Sequence, residues 1–211
     1  MSKDHRKLLD LFHEFDQFLT QVHGFYLDSV AGFDSLLRHI ENEQSYYQNL
    51  FKENEELSSI EFLDETSFSH SFLTGGNFAA SGVQFSKQGD VKKRNKRDGI
   101  NQQFLGNMCL VMAYSYWEKY LRGKLEGALG LQRGGLKSTI WGDLKILRHC
   151  ILHGANKDLK KLQLLKWFQD DDEIIIDEAR FRRIILFLYD FRNWIHSQSL
   201  PPNRSIKVPR C

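Results

Sequence analysis

The chain has 211 residues, 41% hydrophobic and 27% charged, which is the composition of a globular protein large enough for one packed domain or one domain with an insertion. Its net charge of +2 is too small to signal a nucleic-acid binder by itself, so any basic footprint must be local. No apolar stretch approaches the roughly 20 residues that cross a bilayer; the longest, Met108 to Tyr120, is interrupted by Ser115, Glu118 and Lys119.

The three cysteines, Cys109, Cys150 and Cys211, are odd in number and form no CxxC, so neither a disulfide framework nor a zinc knuckle is expected. Together with the lack of an apolar signal segment at the N-terminus, this predicts a reducing, cytoplasmic setting. Only 3 prolines favour long uninterrupted helices. The 16 Phe, 7 Tyr and 4 Trp supply bulky side chains for a core or an interface.

The first predicted helix runs from about Asp4 to Val22, where Leu8, Leu9, Leu11, Phe12, Phe15, Phe18, Leu19 and Val22 recur at steps of three and four. A second follows from about Asp28 to Leu57, with Val30, Phe33, Leu36, Leu37, Ile40, Tyr47, Leu50 and Phe51; Gly24 and Gly32 are the expected punctuation. From Ser58 to Arg97 no helical period is present. Phe62, Phe68, Phe72, Phe78 and Phe85 are scattered among Ser, Thr and Gly, and Gly75-Gly76-Asn77 and Gly82 signal turns, which reads as an irregular insertion or loop. It ends in the dense basic run Lys92-Lys93-Arg94-Asn95-Lys96-Arg97.

The second half is helical. From about Ile100 to Leu129, Phe104, Met108, Val111, Tyr114, Trp117, Leu121 and Leu125 form one stripe, and Leu110, Met112, Tyr116 and Tyr120 widen it. Such a helix is expected to be buried nearly all round, in a core or between subunits. Gly130, Gly134 and Gly135 break it. Ser138 or Thr139 can cap the next helix, which carries Ile140, Trp141, Leu144, Leu147, Ile151 and Leu152 and stops at Gly154. Asn156 can cap a short basic helix from Lys157 to Phe168, and Ile174-Ile175-Ile176 reads as a short strand or extended link. Asp177 caps a last helix with Phe181, Ile184, Ile185, Leu188, Phe191, Trp194 and Ile195 on its inner face; the tail beyond Ser199 is expected to be loose.

The expected class is therefore all-α, a bundle of four or more long helices with a Phe/Gly/Ser-rich insertion. Its expected divisions are N-terminal helices (1–57), the insertion with its basic run (58–99), a helical core (100–197) and a tail (198–211), within one domain overall.

The chemistry concentrates in Arg148-His149-Cys150-Ile151-Leu152-His153, late in the helix that starts near Ile140. The motif, Arg followed by a polar residue and then by His five positions after the Arg, resembles the R-x(4–6)-H signature of the HEPN superfamily. For the RNA cleavage that this resemblance implies, the substrate's own 2′-hydroxyl can serve as nucleophile, which leaves two tasks for the protein. Histidine, titrating near neutrality, suits proton transfer. Arginine, always charged and forked, suits the phosphate and the charge that develops on it.

The resemblance covers roughly Ile100 to Ser197 and implies a metal-independent endoribonuclease with no cofactor. His153 would be general acid/base, Arg148 the phosphate clamp, and His149 an assistant. It further implies a homodimer with a composite site, RNA as partner, and a toxin–antitoxin or antiviral setting with a restraining protein partner. Five residues turn an ideal helix by about 140°, so Arg148 and His153 converge only if the helix end distorts at Gly154 or two copies combine.

Other readings of the same residues stand beside this one. Cations near a helix C-terminus are favoured by the helix dipole alone. His149 and His153, at i and i+4, have zinc-site spacing, but no third ligand is evident and no metal is expected. Arg192-Asn193-Trp194-Ile195-His196 is a second Arg–polar–His run, one residue too short for the signature, and the main competitor for the site. The basic run Lys92, Lys93, Arg94, Lys96 and Arg97 could track an RNA backbone, or be a solvated loop. No phosphate loop, GxSxG, HExxH or EF-hand pattern occurs. The main alternative function is an inactive HEPN-like module that dimerises or binds RNA or nucleotide. A purely structural bundle that binds protein through its aromatic helix is the third.

Overall fold

A computed structural model describes residues 3–71, 83–154, 156–170 and 172–198. The expected Phe72, Phe78, Gly75-Gly76-Asn77, Gly82, tail and Cys211 lie outside the described residues. The protein is mostly helical, and the chain forms two units: Met1–Leu27 with Phe104–Cys211, and Asp28–Gln103. Among the described residues no helix is long and apolar enough to cross a membrane.

The N-terminal residues form one helix, α1 (Lys3–Leu50), where the sequence suggested two. Gly24 and Gly32 do not interrupt it. A helical glycine costs about 1 kcal/mol relative to alanine, which weakens a helix without stopping it when its neighbours are held by packing and no proline intervenes.

In the first unit α1 buries Leu8, Leu11, Phe12, Phe15, Leu19, Val22 and Tyr26, the spacing of a single helical face. The other helices are α4 (Ile100–Tyr116, whose first turn lies in the second unit), α5 (Arg122–Ala128), α6 (Thr139–His153) and α7 (Glu178–Gln198). A π-helical turn, Trp117–Leu121, joins α4 to α5 and keeps both Trp117 and Leu121 in the core. Gly130 and Gly134 then break the run with φ of 68° and 81°, values that favour glycine. Ser138 stands at the start of α6 in extended conformation, without a side-chain cap. Asp177 does cap α7, accepting the Arg180 N–H at 2.8 Å.

The short basic helix expected after Gly154 is only a 3-10 turn, Asn156–Lys161, and the described residues from there to Asp177 form no regular element. Two buried carboxylates hold the loops. Asp143 accepts the N–H groups of Gln163, Leu164 and Leu165 at 2.7–3.2 Å. Glu126 accepts those of Gly134 and Leu136 and the Arg122 Nε at 3.0–3.1 Å. Burial alone would push the Glu126 carboxyl up, but these donors outweigh it and hold it below the usual range.

The second unit corrects the expectation of an irregular stretch. It holds α2 (Ile60–Glu65), the antiparallel strands β1 (Ser67–Ser71) and β2 (Val83–Lys87), and α3 (Gln88–Asn95). Short elements with this much Ser, Gly and Phe leave no long periodicity to read. Gln44 on α1 is buried and gathers the unit's polar centre: its amide donates to Asp64 and Gln88, both at 2.9 Å, and its oxygen accepts from Lys92 at 2.8 Å.

The link Ile174-Ile175-Ile176 lies against α4 because α4 presents Gly106 and Asn107 there. Asn107 donates to the Ile174 carbonyl at 2.8 Å and accepts the Ile176 N–H at 3.1 Å. A Cβ at Gly106 would stand 1.9 Å from the Ile176 carbonyl oxygen, a distance that backbone must move to relieve. Gly106→Ala is therefore expected to cost about 1–3 kcal/mol or more in denaturant unfolding, as overpacked sites do. An unchanged midpoint would contradict this packing.

Candidate functional site

α6 carries Ile140, Trp141, Asp143, Leu144, Leu147 and Cys150 inward. Its opposite side presents Lys145, His149, Leu152 and His153 to solvent, and Arg148 sits half-buried on the flank. The helix stays α-helical through His153, and Gly154, at φ 65°, closes it by donating its N–H to the Cys150 carbonyl at 2.8 Å. Gly154 is thus the expected terminator, but it does not distort the turn before it. Within one chain, Arg148 and His153 remain about 140° apart around the helix axis.

The His149 and His153 rings neighbour one another, with centroids 4.8 Å apart. Beyond the helix end, the Lys161 ammonium lies 2.6 Å from the Asp158 carboxylate and holds it below its usual range, with a smaller pull from His149. Asp158 went unnoticed in the sequence because no fixed spacing links a 3-10 turn to the helix before it. Among the described residues, no group of three or more His, Cys, Asp or Glu side chains is arranged to hold a metal ion.

Arg148 makes no ion pair or hydrogen bond with the described residues, and its Nε is buried without a partner. The Tyr114 hydroxyl donates to Glu118 at 2.8 Å, and the charges of both Arg122 and Arg148 act on that phenol. The competing pair is arranged otherwise. Arg192 donates to Asp16 on α1 at 2.5 Å and to Asn193 at 3.1 Å, and it lies over the Phe12 ring, which also meets the His196 ring at 5.4 Å. That guanidinium is committed to holding α7 against α1.

The basic run is part helix and part turn, with Lys96 and Arg97 beyond the helix end. Lys92, Lys93 and Arg94 belong to α3, in the second unit. Lys92 turns inward to Asp64 at 2.6 Å and to Gln44, and Arg94 donates to Ser86 at 3.2 Å. Lys93, Lys96 and Arg97 face solvent. Of the five basic residues expected to contact RNA, these three remain uncommitted.

α4 is not buried all round. Leu105, Cys109, Leu110, Ala113, Tyr114 and Trp117 are in the core, whereas Phe104, Met108 and Met112 are exposed by 66%, 43% and 42%. Those three stand at intervals of four and form one apolar stripe.

The contrast between the two arginines is directly measurable. Arg192→Ala strands a half-buried Asp16 and is expected to cost about 1–3 kcal/mol in unfolding, whereas Arg148→Ala should stay within about 0.5 kcal/mol of wild type. Equal losses would mean that Arg148 is structural. No family model, no curated protein and no solved structure matches the chain.

Proposed function

We propose that this chain is a metal-independent endoribonuclease of the HEPN type, working as a homodimer on RNA. The observation that carries the reading is Arg148: a guanidinium with no counter-charge among the described residues, on the flank of a helix whose exposed face presents His149 and His153. An arginine already paired with a carboxylate, as Arg192 is, has less to offer a phosphate.

In the proposed reaction a His153 imidazole takes the proton of the substrate's 2′-hydroxyl. The resulting oxygen attacks the adjacent phosphorus, and the 5′-oxygen leaves with a proton supplied by an imidazolium. Arg148 holds the non-bridging oxygens as negative charge builds on them, with His149 assisting. The 140° offset on α6 separates Arg148 and His153 within a chain, which favours a site completed by a second copy. The exposed stripe Phe104, Met108 and Met112 offers apolar surface for such an association. A cytoplasmic setting with a restraining protein partner, as in toxin–antitoxin or antiviral systems, belongs to the same proposal.

The test is cleavage of a mixed RNA substrate in excess EDTA. Wild type is expected to cleave, and Arg148→Ala and His153→Ala each to lose about 100-fold or more while remaining folded, as loss of a proton-transfer group or a transition-state clamp does. Cleavage that survives both substitutions would eliminate the site. Absence of cleavage together with salt-sensitive RNA binding would favour a binding module.

A further inference from the structure

His149 and His153 are the only two of the chain's eight histidines that stand four residues apart. That spacing puts them on one helical face, and α6 keeps its regular form beneath both. Gly154 closes the helix only after His153, donating its N–H to the Cys150 carbonyl at 2.8 Å. The backbone thus holds the two rings side by side, with centroids 4.8 Å apart and planes at 48°. Both side chains are exposed, whereas Cys150 between them is buried on the inward side of the helix. A metal ion held at about 2.0–2.1 Å by one nitrogen of each ring stands about 3.2 Å from each ring centre. The centres then lie about 4.5 Å apart for two bonds at a right angle, and about 5.2 Å apart for two tetrahedral bonds. The observed separation falls between these two values.

We infer that His149 and His153 together bind one borderline divalent metal ion per chain, of the class of Zn2+, Ni2+ or Cu2+, each ring giving one nitrogen and water completing the coordination. Imidazole selects that class, because Mg2+ and Ca2+ prefer oxygen ligands. No third His, Cys, Asp or Glu joins the pair among the described residues, so the ion is held by two protein ligands and exchanges readily. The position adds to the attraction. Both rings stand in the last turns of α6, where the carbonyl ends of the helix carry partial negative charge. Binding of the ion needs nothing from the proposed nuclease, but its consequence rests on that reading. A neutral imidazole that gives one nitrogen to a metal keeps a proton on the other, and so has no place to accept the proton of a 2′-hydroxyl. The bound ion therefore inhibits cleavage at His153, and a chelator relieves the inhibition.

The experiment titrates the untagged chain with Ni2+, Zn2+ and Mg2+ by calorimetry, without RNA, for wild type, His149→Ala, His153→Ala and His39→Ala, the last removing an exposed histidine of the other unit. Wild type and His39→Ala are expected to take up one Ni2+ or Zn2+ per chain and no Mg2+. Each α6 variant is expected to lose about tenfold or more in affinity, since losing even a group that orients a metal's ligands costs about 10–100-fold. Both side chains are exposed, so these variants keep the fold, which unchanged circular dichroism checks. Ni2+ binding that survives either α6 substitution, or that falls as far in His39→Ala, would overturn the inference, as would equal uptake of Mg2+. Where wild type cleaves RNA, saturating Zn2+ is expected to stop it and excess EDTA to restore it. Cleavage at full rate with the ion bound would overturn the inhibitory role. A chain that binds the ion yet cleaves no RNA in EDTA would overturn the nuclease reading and leave the metal site standing.

Discussion

The stacked pair Trp117 and Trp141 is the contact on which the first unit depends. Phe191 meets both indoles edge-on, at 5.2 and 5.9 Å, and Phe15 tilts against Trp141 at 6.2 Å. Four side chains thereby join α1, the π turn after α4, α6 and α7 at one point. Each aromatic pair adds about 0.5–1.5 kcal/mol beyond the area it buries, which helps to offset leaving the Trp141 Nε1 without a hydrogen-bond partner. The same stack ties the π turn after α4 to the start of α6.

Around this apolar centre the unit uses charge in two ways. Asp143 and Glu126 are buried and fully engaged by backbone donors, which fixes the chain on either side of α6. Arg192 and Asp16 are likewise engaged with each other. Arg148 is the contrasting case: half-buried, partly desolvated and without a counter-charge among the described residues. Holding a cation in that condition disfavours the folded state slightly, and binding an anion would relieve it. His149 and His153 stand on the exposed side of the same helix, so the helix offers a cation and two proton carriers without bringing them together.

The helices of the second half were legible because their apolar residues keep a period near 3.6 over many turns. The run from Ile100 and the stops at Gly130 and Gly154 fall where the sequence put them. The continuity of α1 was not legible, since glycines read as punctuation when the packing that carries a helix through them is unseen. Nor were the elements between Ile60 and Asn95, whose short lengths give no period, or the inward turn of Lys92, which depends on Gln44 and Asp64 far away in sequence. The apolar surplus of α4 was visible, but a sequence cannot distinguish a helix covered on all sides from one that keeps Phe104, Met108 and Met112 in solvent. At the candidate site the residue types and their spacing could be read; the freedom of Arg148 and the engagement of Arg192 could not, because both follow from partners on other helices.

The regular geometry of α6 bears most heavily on function. If the helix keeps its form to His153, one chain cannot aim Arg148 and His153 at the same phosphate, and the proposed nuclease requires two copies. Complementation tests this most directly: inactive Arg148→Ala protein is mixed with inactive His153→Ala protein, and RNA cleavage is measured in excess EDTA. A composite site predicts that the mixture regains cleavage, because a mixed dimer unites an intact Arg148 with an intact His153. A mixture as inactive as its parts, with mixed dimers formed, would contradict it.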